Sequence, residues 1–176
     1  MHAIGLDPGT TRQNPAAVAL VRWLPGDPAP ILLGTTQLTP ARHETLAEYL
    51  GRLGARLRTD WLGGVTLLAV EWPYVGENPQ SALDLAACCG AALAAAGEAG
   101  VTTHLVSPAQ AKQALVGVGN ATKEQMIAAV RVQFGRALPK DQADAVGIAL
   151  AGLVIVRRAV QLPLPKRQTR IKTKKG

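Results

Sequence analysis

The chain has 176 residues, 48% of them apolar and only 3% aromatic, which is enough for one domain with an aliphatic core and no need of covalent staples. Its formal net charge of +7 comes from 19 basic and 12 acidic residues, but the closing stretch KRQTRIKTKKG (166–176) holds six of the basic residues and no acid. Such a composition excludes a low-complexity chain, and the only two cysteines, the adjacent Cys88 and Cys89, exclude a disulfide framework and a C-x-x-C metal site.

From the N-terminus, Met1-His2-Ala3 runs into an apolar stretch without the basic segment or cleavage site of a secretion signal, so a cytoplasmic location with reduced, buried cysteines is expected. Residues 3–7 read as a first strand ending in Asp7-Pro8-Gly9. Ala16 to Trp23 and Ile31 to Gln37 read as two more, separated by the loop-forming LPGDPAP. Such short connections imply an antiparallel meander. A helix is expected from Thr39-Pro40 to about Arg58, with Leu46, Leu50, Leu53 and Leu57 at helical spacing.

VTLLAVE (65–71) is a strand closed by Glu71, and SALDLAACCGAALAAAG (81–97) is a small-residue helix suited to close packing. VTTHLV (101–106) is a short strand, followed by a helix from Ser107-Pro108 through Leu115. Thr122 and Gln125 spell a capping box for a helix ending near Phe134. The last helix is expected from Asp141 to Val160. The longest apolar tract, Ala145 to Val156, is too short to span a bilayer, so no membrane association is expected. The sequon Asn120-Ala121-Thr122 has no meaning in a cytoplasmic chain. Residues 1–160 therefore form one domain, and 161–176 a proline-containing exit with a disordered basic tail. Strand meander followed by strand–helix crossovers gives an α/β fold with a mixed sheet and helices on its faces.

Four acids stand out. Asp7 and Glu71 each follow an apolar strand, and neighbouring parallel strands would release both at one sheet edge. Asp141 and Asp144 lie three apart at a helix start, on one face, although acids there also complement the helix dipole. Asp7 alone could cap a turn, serve a nucleotide site or hold a metal. Converged, the four would need protons or cations, and all-oxygen ligands suit Mg²⁺ or Mn²⁺. His2, His43 and His104 show no ligand spacing.

The segments GLDPGT, AVEWPYVGENPQSALDL, QAKQALVGVGNATKEQ and DQADAVGIAL resemble, in order and spacing, the RuvC family of Holliday-junction resolvases over about residues 3–155. The resemblance implies a ribonuclease H-like fold, a five-stranded mixed sheet with three antiparallel strands and then two parallel ones. It implies Asp7, Glu71, Asp141 and Asp144 as catalytic metal ligands for two Mg²⁺ or Mn²⁺ ions. Lys112 and Lys123 match lysines flanking the family's G-x-G segment, Lys123 with a catalytic role and both with junction binding. Tyr74 takes the place of an aromatic inserted near the junction centre, and an exposed ring can stack on an unpaired base. Asn78 and Ser81 match positions that cap the next helix or touch phosphates. With Lys166, Arg167, Arg170, Lys172, Lys174 and Lys175, the tail reads as an arm that binds phosphates without reading sequence.

The implied activity is metal-dependent resolution of four-way DNA junctions by a homodimer, with helix 81–97 as a candidate dimer face and branch-migration machinery as a further partner. TRQNPAAVAL after DPGT, Trp72-Pro73 after Glu71, and Glu77 depart from the family pattern and leave the cleavage sequence open. A nuclease for other branched DNA or RNA shares the same signature. An actin-like nucleotide module would need a second domain, and GVGNATK lacks the spacing of a phosphate loop. A catalytically silent junction binder has no use for four acids beside phosphates.

Overall fold

The sheet has the order β3-β2-β1-β4-β5, built from β1 (His2–Thr10), β2 (Pro15–Arg22), β3 (Ile31–Leu38), β4 (Leu67–Glu71) and β5 (Thr102–Val106). The computed structural model describes residues 1–73 and 78–161. The first three strands pair antiparallel, and β1–β4 and β4–β5 pair parallel. Five helices complete the fold: α1 (Leu46–Arg56), α2 (Pro79–Glu98), α3 (Pro108–Val116), α4 (Lys123–Phe134) and α5 (Lys140–Gln161).

Strand alternation divides the core into two layers. Ile4, Leu6, Leu68 and Val70 face α1 and α2, where they meet Leu53, Cys88, Cys89 and Ala92. Ala3, Ala17, Ala19 and Leu67 face the other way, onto Ala145, Val146, Ala149 and Leu153 of α5, with Met126 and Val130 of α4 behind. Backbone contact replaces side-chain packing at Gly5, where an added Cβ would stand 2.0 Å from the Ala145 carbonyl oxygen and 2.4 Å from the Ala149 nitrogen. α5 can therefore lie directly on β1 only because residue 5 is glycine.

β1 runs on through Asp7-Pro8-Gly9 to Thr10, three residues past its expected end, because it keeps pairing with β2; most other element positions follow the sequence to within one or two residues, including the Thr122–Gln125 capping box. The first helix does not. It starts at Leu46 rather than at Thr39-Pro40. Thr45 and Glu48 form the capping box that opens it, while Glu44 accepts a hydrogen bond from the Ala41 amide at 2.7 Å and His43 has a left-handed backbone, φ 71°. Those local bonds give residues 41–44 a turn in place of a helical one. At its other end α1 widens into a π-helical turn over Leu57–Trp61. The last helix runs from Lys140 to Gln161, one residue beyond the expected domain end.

By length and composition α2 is the one described helix long and apolar enough to cross a membrane, a property expected for no segment. Here Cys88, Cys89, Ala92, Ala95 and Ala96 bury its inner side against the sheet.

Candidate active site

The β1–β4 ladder pairs Leu6 with Val70, so Asp7 and Glu71 follow side by side where it ends. Side-chain alternation gives Asp7 the face of Ala3 and Gly5, and Glu71 the face of Leu67 and Ala69. That is the face covered by α5. Gly5 meets α5 at Ala145 and Ala149, and the N-terminal end of the helix just before them carries Asp141 and Asp144, which are 5% and 8% exposed.

Two hydrogen bonds tie the turn to β3: Gln37 Nε2 donates to Asp141 Oδ2 at 3.3 Å, and Thr35 Oγ1 donates to Gln142 Oε1 at 2.6 Å. Lys140 Nζ lies 3.8 Å from Asp141. Lys123, the first residue of α4, forms an ion pair with Asp144.

The acids act on one another. Asp7 keeps some contact with solvent, but burial, then repulsion from Glu71 and Asp144, raise its pKa well above the carboxylate range, with Lys123 opposing and Asp141 adding. Burial and the charge of Asp144 push Glu71 up to about 6, against Lys123 and Lys112. Burial works against the charge of Lys123, yet the bond to Asp144 and the fields of Asp7 and Asp141 prevail and raise its pKa. All four acids and both lysines thus share one electrostatic neighbourhood. Among the described residues no three His, Cys, Asp or Glu side chains are grouped closely enough to hold a cation. The charges of the four acids act on one another, and Asp144 is paired with Lys123.

The donor chemistry fits a hard divalent cation, since every candidate ligand is a carboxylate oxygen and the strand acids are short of counter-charge. Asn78 caps α2, its Oδ1 accepting from the Gln80 and Ser81 amides at 3.1 and 3.3 Å; the exposed Ser81 contributes only its backbone there. Lys112 is half-buried on α3. Tyr74 and the tail residues Lys166, Arg167, Arg170, Lys172, Lys174 and Lys175 lie outside the described residues.

Sequence reasoning missed Gln37 and Tyr49. The Tyr49 hydroxyl, buried on α1, stands 2.8 Å from both the Gly9 and Leu38 carbonyl oxygens and so joins the ends of β1 and β3. Burial pushes its pKa beyond the ordinary phenol range. A lone tyrosine among helical leucines is the signal that was available, because a buried hydroxyl needs a partner.

A family model described as crossover junction endodeoxyribonuclease RuvC matches residues 34–152. The chain belongs to the RuvC family. A relative from Anaeromyxobacter sp. (strain Fw109-5), named crossover junction endodeoxyribonuclease RuvC, is 33% identical over 168 residues, spanning 94% of this chain and 78% of its own length. One of the same name from Chloroflexus aurantiacus is 35% identical over 158 residues, covering 85% of this chain and 91% of its own. Thermus thermophilus RuvC in complex with a Holliday junction substrate is similar in structure, with a TM-score of 0.80 at 32% identity, covering 90% of this chain and 96% of that one. The fowlpox virus Holliday junction resolvase, at 10% identity and a TM-score of 0.57, shares the fold alone. The ribonuclease H-like sheet expected from the sequence is the sheet observed.

Proposed function

We propose that the chain is a cytoplasmic, divalent-metal-dependent endodeoxyribonuclease that resolves four-way DNA junctions by paired nicks. The observation that supports this reading is that Asp7 and Glu71 share the sheet face covered by α5, whose N-terminal end carries Asp141 and Asp144, with two lysines in reach of their charge. Family membership and the junction-bound Thermus relative support the substrate class.

Asp7, Glu71, Asp141 and Asp144 would hold the cations, two per site. Bound there, divalent ions supply Lewis-acid stabilisation and a water nucleophile at neutral pH. The protein's own part is positional and electrostatic. Strand ends fix Asp7 and Glu71, and Gln37 orients Asp141. Lys123 supplies positive charge beside the phosphate as negative charge develops on its oxygens, and Lys112 adds to that field on the Glu71 side. The products are a 5′-phosphate and a 3′-hydroxyl. A junction with two-fold symmetry calls for a homodimer whose sites are related by the same operation; α2, with Leu83 64% exposed, is the candidate face. Branch-migration machinery is a further partner in this reading, and the basic tail a phosphate-binding arm.

Incubating the chain and Mg²⁺ with a synthetic four-way junction, a flap and an RNA–DNA hybrid in competition tests the proposal. Preferential, symmetric nicking of the junction is expected. Equal cutting of all three, or of the flap first, would refute junction selectivity.

A further inference from the structure

Cys88 and Cys89 are adjacent on α2 and are 0% and 2% exposed. Adjacent residues on a helix point about 100° apart, and here the two thiols reach different strands. Cys88 Sγ stands 3.7 Å from the carbonyl oxygen of Gly9, two residues after Asp7. Cys89 Sγ stands 3.4 Å from the carbonyl oxygen of Glu71 itself. Burial keeps both sulfurs protonated at neutral pH, so each can donate its S–H.

The Gly9 carbonyl also faces the Tyr49 hydroxyl at 2.8 Å, so Cys88 is a second donor on that oxygen. The β1–β2 register slips between Asp7 and Thr10, and β4 ends at Glu71. Gly9 is also closed in on its other side, since an added Cβ would lie 2.3 Å from the Asn14 carbonyl oxygen.

We propose that Cys88 and Cys89 are positioning residues that tie the two acid-bearing strand ends to one helix, and so set the separation of Asp7 and Glu71. This rests on the nuclease reading above. The thiols touch neither cation nor DNA. They act through the backbone, and a single rigid element holds both strand ends at once. Two features distinguish this from ordinary core packing. Both thiols end on carbonyl oxygens rather than among carbon atoms alone. Those carbonyls belong to the two strands that carry acids.

The test uses the full chain with Cys88→Val, Cys89→Val, the double valine variant and the corresponding serine variants. Valine fills the volume without a donor, and serine keeps a donor. Mn²⁺ affinity is measured by titration calorimetry without DNA, alongside the Mg²⁺ concentration for half-maximal junction cutting and the melting temperature. We expect Cys89→Val to weaken Mn²⁺ binding about threefold, the double variant about tenfold, and serine to restore most of either loss. Folded valine variants that bind Mn²⁺ as the wild type does would overturn the proposal, even with cutting impaired. Valine and serine variants that weaken Mn²⁺ binding equally would also overturn it, because volume and not the donor would then matter. A wild-type chain that neither binds Mn²⁺ nor cuts junctions would instead overturn the nuclease reading, and this inference with it.

Discussion

Asp7 and Glu71 hang from strands just past the end of the β1–β4 ladder, where burial and neighbouring charges act on them; Asp141 and Asp144, at the N-terminal end of α5, have Gln37, Lys140 and Lys123 as partners. Strand ends offer a carboxylate a rigid backbone and few donors, since the neighbouring amides are committed to the ladder. A helix start brings a favourable dipole and lies beside other loops and helix ends. The strand pair is therefore the part of the site with the greatest need of an added cation, and the helix pair is already partly neutralised by the protein.

The sharpest way to break that comparison is Asp7→Asn. Junction cutting should fall by about 10³-fold, the scale of losing one preorganised electrostatic element or more. The melting temperature of the metal-free protein should hold or rise, because a poorly compensated charge has been removed. A parallel fall in both would mean that Asp7 is structural.

Next in size is Gly5→Ala, which forces α5 off β1 and should cost about 3 kcal/mol by denaturant unfolding. It should also reduce cutting with every acid still present. Full activity would show that the two acid pairs need no fixed distance. Tyr49→Phe removes the hydroxyl shared by Gly9 and Leu38 and should cost about 1–2 kcal/mol by the same measurement. Its effect on cutting should exceed that of an equally destabilising change far from β1.

The smallest effect concerns pH. Glu71 binds its proton more tightly when folded, up to about 6 against an ordinary 4.5. Below pH 4.5 it is protonated whether folded or not and carries no penalty. As pH rises through about 6 the folded, metal-free chain must bear the charge, and this contribution to stability is lost. Glu71→Gln does not titrate. Its melting temperature should match the wild type near pH 4.5 and exceed it by ~3 °C above pH 7 without metal. A constant gap across that range would place the charge of Glu71 elsewhere.

Much of this site was legible because its acids interrupt clear patterns. Asp7 and Glu71 each end an apolar run, and DQAD opens a long helix. The ladder that joins β1 to β4 is a tertiary fact, but the meander and crossover already place those strands together. Gln37 was illegible, since a polar residue at the end of a strand is ordinary until α5 is laid beside it. The start of α1 was misjudged for a local reason: Thr39-Pro40 is a good helix opening, and Thr45 with Glu48 is a better one. Cys88 and Cys89 read as small core residues, and so they pack. Their hydrogen bonds emerged only once both strand ends were in view.

The contact between α5 and β1 has a kinetic side. With no side chain between helix and strand at Gly5, no rotamer exchange can change the spacing there, and the four acids ride on a joint that is stiff on fast timescales. A second close contact of α5 is different. At Gly147 an added Cβ would lie 3.0 Å from the Ala111 carbonyl oxygen on one side and 2.8 Å from the terminal methyl of Met126 on the other, and methionine is the most adaptable of core side chains. Met126 belongs to α4, the helix that begins with Lys123. The joint that carries the acids is backbone on backbone, and the helix that carries the lysine meets α5 through an adaptable side chain.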